Sequence, residues 1–75
     1  MRRDWLYNIR VEKNLTQDEV AKSADISRSY YTLIENGKKN PTFLTALKIS
    51  TALGFNKEYF FNESVDIINN KRKTV

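Results

Sequence analysis

Apolar residues recur three and four positions apart along most of the chain, which is the spacing of one face of an α-helix. This pattern predicts an all-α, five-helix bundle, with helix 1 at Arg3 to Lys13 and helix 3 at Ser27 to Gly37. The others are helix 2 from Thr16 to Ala24, helix 4 from Thr42 to Leu53 and a short helix 5 from Lys57 to Phe61. A short sixth helix after Ser64, carrying Val65, Ile67 and Ile68, fits the same pattern.

The predicted helix boundaries carry the residues that physical chemistry favours there. Thr16 and Glu19 have the spacing of a capping box, in which each side chain bonds the backbone N–H of the other residue. Ser27 and Thr42 are good N-caps for helices 3 and 4. Gly54 suits the end of helix 4, since glycine adopts the left-handed backbone that closes many helices.

Helix 4 has apolar residues around more than half of its circumference. We therefore expect it to be the central helix, buried on most sides. With the core filled in this way, the aromatic and aliphatic residues near the C-terminus exceed what a small domain normally buries. They predict a symmetric dimer interface made by Tyr59, Phe60, Phe61, Val65 and Ile68, together with Ile67.

Helices 2 and 3 are joined by the tight turn Ala24-Asp25-Ile26, which makes them a candidate helix-turn-helix. Ala21 is small where the two helices must cross, and Ile26 is apolar where the turn must pack on the core. On helix 3, Tyr30, Tyr31 and Ile34 share one side. The opposite side is free to read base edges in the major groove through Arg28, Ser29, Thr32 and Leu33.

Composition supports this interpretation mainly by exclusion. The chain has 75 residues and a net charge of +4, so we expect one domain over 1–75, a core at about 5–61, an extension at 62–75 and an anionic partner. It has no Cys and no His, and the sequence suggests neither a catalytic site, a metal site nor a cofactor. Because no long apolar run is present, we expect a cytoplasmic protein with no membrane segment.

The chain resembles the XRE/Cro-type helix-turn-helix family from about Leu6 to Phe61. The resemblance is carried by Leu15-Thr16-Gln17, Val20-Ala21, Asp25 to Tyr31, Ile34 to Gly37, Pro41-Thr42, Leu47 to Ile49 and Ala52 to Gly54. It implies a five-helix domain that binds a near-palindromic operator in double-stranded DNA as a homodimer. One departure is Asp25, because the family usually has glycine at this turn. Asp tolerates the positive φ required there at a cost of roughly 1 kcal/mol.

The same resemblance assigns roles to individual residues. Arg28, Ser29, Thr32 and Leu33 match base-reading positions, and Arg10 and Glu35 match a structural salt bridge. The expected phosphate contacts are Gln17, Ser27, Tyr30, Asn36, Lys38 and Lys39. Each also has an ordinary explanation: Lys38 and Lys39 suit a solvated loop, and the Tyr30 ring suits the core.

Two functions compete at this point. The first is a transcriptional regulator without a sensor domain, such as a phage repressor or the controller of a restriction–modification system. The second is an antitoxin-type interaction module whose DNA binding is autoregulatory, with Tyr59 to Ile68 covering a protein partner that the sequence does not identify. A dimer in isolation favours the first, and a stable complex with a neighbouring gene product favours the second.

Overall fold

The computed structural model describes residues 1–63, and these form an all-helical fold, as predicted. The helices are α1 (Asp4–Glu12), α2 (Gln17–Ser23), α3 (Arg28–Glu35) and α4 (Phe43–Leu53), followed by a fifth helical segment, α5, at 58–63. The predicted sixth helix lies outside the described residues. So do Val65, Ile67 and Ile68 of the predicted dimer interface. Within residues 1–63 no helix is both long and apolar enough to cross a membrane.

The predicted N-caps are confirmed. Thr16 Oγ1 accepts from the Glu19 N–H at 3.1 Å, and the Glu19 carboxylate accepts from the Thr16 N–H at 2.8 Å, which completes the capping box. Ser27 and Thr42 cap α3 and α4 in the same way. Gly54 ends α4 with a φ of 76°, in the left-handed region that favours glycine.

The core is formed by one face of each helix. α2 packs against α3 and α4, and α1 packs against α3. The fully buried residues of this core include Leu6, Val20, Tyr31, Ile34 and Ile49. Trp5 lies at the edge of this core, with its ring edge-on to Phe55 and Phe60, so that α5 closes the end of the bundle.

The turn between α2 and α3 has the expected geometry. Asp25 adopts a φ of 57°, and the Ile26 N–H donates to the Ala21 carbonyl at 3.0 Å. Ala21 is buried, and Ile26 packs against the core. The turn therefore accommodates Asp25 where a glycine would carry less backbone strain.

α4 corrects the expectation of a helix buried on most sides. Its buried stripe includes two polar residues, Thr45 and Ser50, whose hydroxyls bond within α4 and its cap. Because those small side chains face inward, larger apolar ones face outward: Phe43 is 62% exposed, Leu44 58% and Leu47 41%. Together with Phe61, whose ring stacks on that of Phe43 at 6.1 Å, they form what we call the α4–α5 apolar surface.

Phe60 also requires a correction. It was expected in the dimer interface, but its side chain is only 4% exposed and belongs to the core. Its ring packs against those of Trp5 and Phe55 in the same chain, which buries its apolar surface. Phe60 therefore has almost no surface to offer a second copy.

Candidate nucleic-acid interface

One side of α3 is fixed in the core and the other faces outward. Tyr31 and Ile34 are fully buried. The opposite side lines a shallow open concavity made by Arg28, Ser29, Thr32 and Leu33. Arg28 and Ser29 are exposed, and Thr32 and Leu33 are partly exposed. The structure thus brings all four predicted base-reading residues together on the free face of one helix, and a helix of ordinary diameter fits the major groove.

Two of the predicted phosphate ligands lie at the start of α3. Ser27 is exposed, and its Oγ accepts from the Tyr30 N–H at 3.0 Å. A hydroxyl that accepts such a bond still has its own proton to donate. The Tyr30 hydroxyl is 3.5 Å from Thr45 Oγ1, so it lies against α4 at the rim of the core.

The loop after α3 presents two lysines to solvent. Asn36 caps the C-terminus of α3, Gly37 follows with a φ of 77°, and Lys38 and Lys39 are exposed. The N–H groups of both lysines donate to the Leu33 carbonyl, at 2.9 and 3.2 Å. The loop backbone is therefore held close to the end of α3, while both ammonium groups remain available to an anion.

The last residue of α3, Glu35, has a buried carboxylate. Oε1 accepts from Arg10 Nε and from the Tyr31 hydroxyl, both at 2.8 Å. Oε2 accepts from Arg10 Nη2 and from Gln17 Nε2, both at 3.0 Å. Arg10 and Glu35 thus form a bidentate salt bridge that ties α1 to α3, and the Glu35 side chain is only 2% exposed.

The surroundings of Glu35 favour its charged form. Desolvation by burial acts to raise its pKa, but the hydrogen bonds from Arg10, Tyr31 and Gln17 outweigh that effect and lower the pKa. The hydrogen bond to Glu35 raises the pKa of Arg10. Burial and the same carboxylate raise the pKa of the Tyr31 hydroxyl. Glu35 is therefore an ionised acceptor at neutral pH.

Gln17, predicted to contact a phosphate, also connects Glu35 to the outward face of α3. Its Nε2 donates to Glu35, and its Oε1 accepts from the Thr32 hydroxyl at 3.0 Å. The side chain is partly exposed at the first position of α2. One amide hydrogen and the amide oxygen are thus used internally, which leaves the second amide hydrogen available to another acceptor.

Sequence reasoning missed a second charged cluster, which is centred on Arg3. Its Nε donates to both carboxylate oxygens of Glu63, at 2.9 and 3.0 Å, and Trp5 Nε1 donates to the same carboxylate at 2.6 Å. The remaining guanidinium nitrogens donate to the carbonyl groups of Ile34 and Lys39 and to Asn40 Oδ1. Arg3 therefore anchors the lysine loop from behind. Its main partner is 60 positions away, and no local pattern links the two.

Comparison of the sequence with known proteins places most of the chain in one family. The profile of the helix-turn-helix family HTH_3 matches residues 6–60. The chain is 49% identical over 63 residues to YqaF of Bacillus subtilis (strain 168), an uncharacterised HTH-type transcriptional regulator. The aligned segment covers 84% of this chain and 83% of YqaF. The chain is also 39% identical over 59 residues to the control protein C.MunI of a Mycoplasma species, covering 77% of this chain and 80% of C.MunI.

A solved structure shows the same fold. The crystal structure of the restriction-modification controller protein C.AhdI from Aeromonas hydrophila aligns with a TM-score of 0.69 at 31% identity. The alignment covers 73% of this chain and 83% of C.AhdI.

Proposed function

Because the chain belongs to the helix-turn-helix family of XRE-type transcriptional regulators, we propose that it binds a near-palindromic operator as a symmetric dimer and acts as a repressor or small controller protein. The observation that carries this proposal is the division of α3 into a buried face and an outward face. The outward face holds three hydrogen-bonding side chains and one apolar side chain, which is the chemistry that reads base edges.

Within that proposal the side chains divide into those that read bases and those that hold the backbone. Arg28 lies in the first turn of α3, where a guanidinium can bond guanine O6 and N7 together. Ser29 and Thr32 bond base edges, and Leu33 contacts a thymine methyl group. The surrounding polar groups contact phosphates: Gln17, Ser27, Tyr30, Asn36, Lys38 and Lys39.

The dimer is proposed to form on the α4–α5 apolar surface. Phe43, Leu44 and Leu47 are each more than two-fifths exposed, and Phe61 extends the patch. Contiguous apolar surface of this kind is unusual on a small monomer. Tyr59 is also half exposed, but it packs beside Trp5 on the other side of α5, so it contributes less than the sequence suggested. To read two half-sites one DNA turn apart, the dimer must hold its two copies of α3 about 34 Å apart.

Sedimentation of two matched variants tests the dimer. Leu44→Asp places a charge in the α4–α5 apolar surface, whereas Val11→Asp places one on an exposed apolar residue of α1. We expect a dimer for the wild type and for Val11→Asp, and a monomer for Leu44→Asp. A monomeric wild type would contradict the proposal, and so would a Leu44→Asp dimer as stable as that of the wild type.

Selection of bound duplexes from a random pool tests operator recognition. We expect a palindromic consensus whose half-sites lie one helical turn apart, because two copies of α3 read the same sequence across a two-fold axis. Recovery of no preferred sequence would overturn specific binding, and recovery of a single asymmetric half-site would overturn the dimer on DNA.

A further inference from the structure

We infer that Gln17 fixes the hydroxyl of Thr32 as a hydrogen-bond acceptor towards DNA, so that Thr32 selects an amino base over a keto base on the strand it faces. Adenine and cytosine carry an amino group in the major groove, whereas guanine and thymine carry a keto oxygen. The inference rests on the proposed function, because it assumes that the outward face of α3 meets base edges. In one of those contacts, that of Thr32, the protein side chain accepts the hydrogen bond and the base donates it.

The ionised carboxylate of Glu35 decides which groups can approach it. An ionised carboxylate has no proton, so it can only accept hydrogen bonds. Each of its oxygens accepts two donors here, and the Arg10 guanidinium lies against both oxygens. Whatever group approaches Oε2 from α2 must therefore be a donor.

Glu35 in turn determines the orientation of the Gln17 amide. An amide can be turned so that its nitrogen and oxygen exchange places, and the hydrogen-bond partners decide which way it lies. The reversed amide would place a carbonyl oxygen 3.0 Å from the Glu35 carboxylate oxygen, where the two would repel each other. Glu35 therefore holds the amide nitrogen inward and directs Gln17 Oε1 towards α3.

The Gln17 amide oxygen determines where the single proton of the Thr32 hydroxyl points. A carbonyl oxygen has no proton either, so in the 3.0 Å contact between Thr32 and Gln17 the hydroxyl must donate. Lone pairs are what remain on Thr32 Oγ1, and the residue is partly exposed beside Arg28, Ser29 and Leu33. A lone pair accepts from adenine N6 or cytosine N4 and repels guanine O6 or thymine O4.

A hydroxyl with a free proton would not discriminate in this way. It could donate to a keto oxygen or accept from an amino group by rotating about its C–O bond. If the Thr32 hydroxyl rotated to donate to a base, it would lose its hydrogen bond to Gln17 Oε1, and that oxygen would be left without this donor. We therefore expect wild type to prefer an amino base by roughly 2- to 10-fold, the size of one hydrogen bond.

The experiment compares duplex selection by three proteins. The position that loses its preference in Thr32→Val identifies the base that Thr32 meets. At that position we expect adenine or cytosine in the wild type. In Gln17→Met the Thr32 hydroxyl loses its acceptor and can rotate freely, so the preference should fall to nearly equal use of amino and keto bases. Affinity for every sequence should also fall, because Gln17 is a proposed phosphate ligand.

Ser29→Ala is the matched control. It should alter the preference at a different position, and Gln17→Met should leave that position unchanged. A merely structural role for Gln17 would weaken all positions alike, so the change confined to one position separates positioning from stability.

A second measurement does not depend on any Gln17 variant. Replacing the amino group of the selected base by hydrogen should weaken binding of the wild type by roughly 2- to 10-fold and leave Thr32→Val unaffected. Guanine or thymine at the Thr32 position in the wild type would overturn the inference. An unchanged preference in a folded Gln17→Met, or no position altered by Thr32→Val, would also overturn it. Failure of the proposed function looks different, because no protein would then enrich any sequence.

Discussion

Two largely buried arginines, Arg10 and Arg3, hold this small bundle together in different ways. Arg10 forms a bidentate pair with Glu35, whose side chain is 2% exposed and which Tyr31 and Gln17 also contact. Arg3 pairs with Glu63 through Nε alone, which is shared between both carboxylate oxygens of a side chain that is 27% exposed, and its other nitrogens bond backbone carbonyls and Asn40. One carboxylate is enclosed in the centre of the fold, and the other lies near its edge.

The difference shows how a small domain can hold a recognition helix without a large core. The Arg10 cluster joins α1, α2 and α3 through side chains, and Gln17 extends it to the outward face of α3. The Arg3 cluster joins the N-terminal segment to α5 and to the loop that carries Lys38 and Lys39. The first cluster therefore supports the proposed reading of bases, and the second supports the proposed contact with phosphates.

Arg10→Met should have the largest effect on stability. It leaves the Glu35 charge buried with two neutral donors, and removing one partner of a buried ion pair typically costs about 3–5 kcal/mol. Urea unfolding followed by circular dichroism measures this directly. A loss below about 1 kcal/mol would mean that Glu35 is not held as a buried charge.

Arg3→Met should have the next largest effect, about 2–3 kcal/mol, because it leaves the Ile34 and Lys39 carbonyls without this donor. Hydrogen exchange should also show faster opening of the loop at 38–40 than in Arg10→Met. The same loss in both variants, with an equally protected loop, would erase the distinction between the two clusters.

The pH dependence of stability should depend on Glu35. Its pKa is lowered in the folded protein, so the unfolded state binds more protons in acid. The stabilisation is complete above the ordinary glutamate pKa of 4.5 and is lost as the pH falls from there through the lowered value. The melting temperatures of the wild type and of Glu35→Gln should therefore become equal as the pH is lowered. A difference in melting temperature that stays constant down to strongly acidic pH would contradict this account of Glu35.

Glu63→Gln should have the smallest effect, below about 1 kcal/mol. The carboxylate is partly solvated, and an amide in its place can still accept from Arg3 and Trp5. Chemical denaturation measures the loss. A loss comparable to that of Arg10→Met would show that partial exposure does not weaken this pair.

Local signals in the sequence predicted most of the fold. Thr16, Ser27 and Thr42 cap helices because capping depends on residues three apart, and the α2–α3 turn is equally local. The outward face of α4 was not predictable in this way. Apolar residues surround that helix, and only packing decided that Thr45 and Ser50 face inward while Leu44 faces outward.

The candidate site divides in the same manner. The outward face of α3 followed from helical spacing, and the Arg10–Glu35 pairing followed from family resemblance. The Gln17 link to Thr32 and the Arg3 cluster could not be predicted from the sequence, because each joins residues on different helices or loops. In a chain this short, long-range polar contacts are what the linear pattern could not predict.

The division between reading and holding is tested most directly by comparing Arg28→Ala with Lys38→Ala on a selected duplex and a scrambled one over a series of salt concentrations. Arg28→Ala should lose about 1–3 kcal/mol on the selected duplex and little on the scrambled one, because a guanine contact is sequence-specific. Lys38→Ala should weaken both duplexes alike and reduce the salt slope by about one unit, because a phosphate contact releases counterions from any sequence. Equal losses on both duplexes for Arg28→Ala would contradict the account, since Arg28 would then hold the backbone and not read a base.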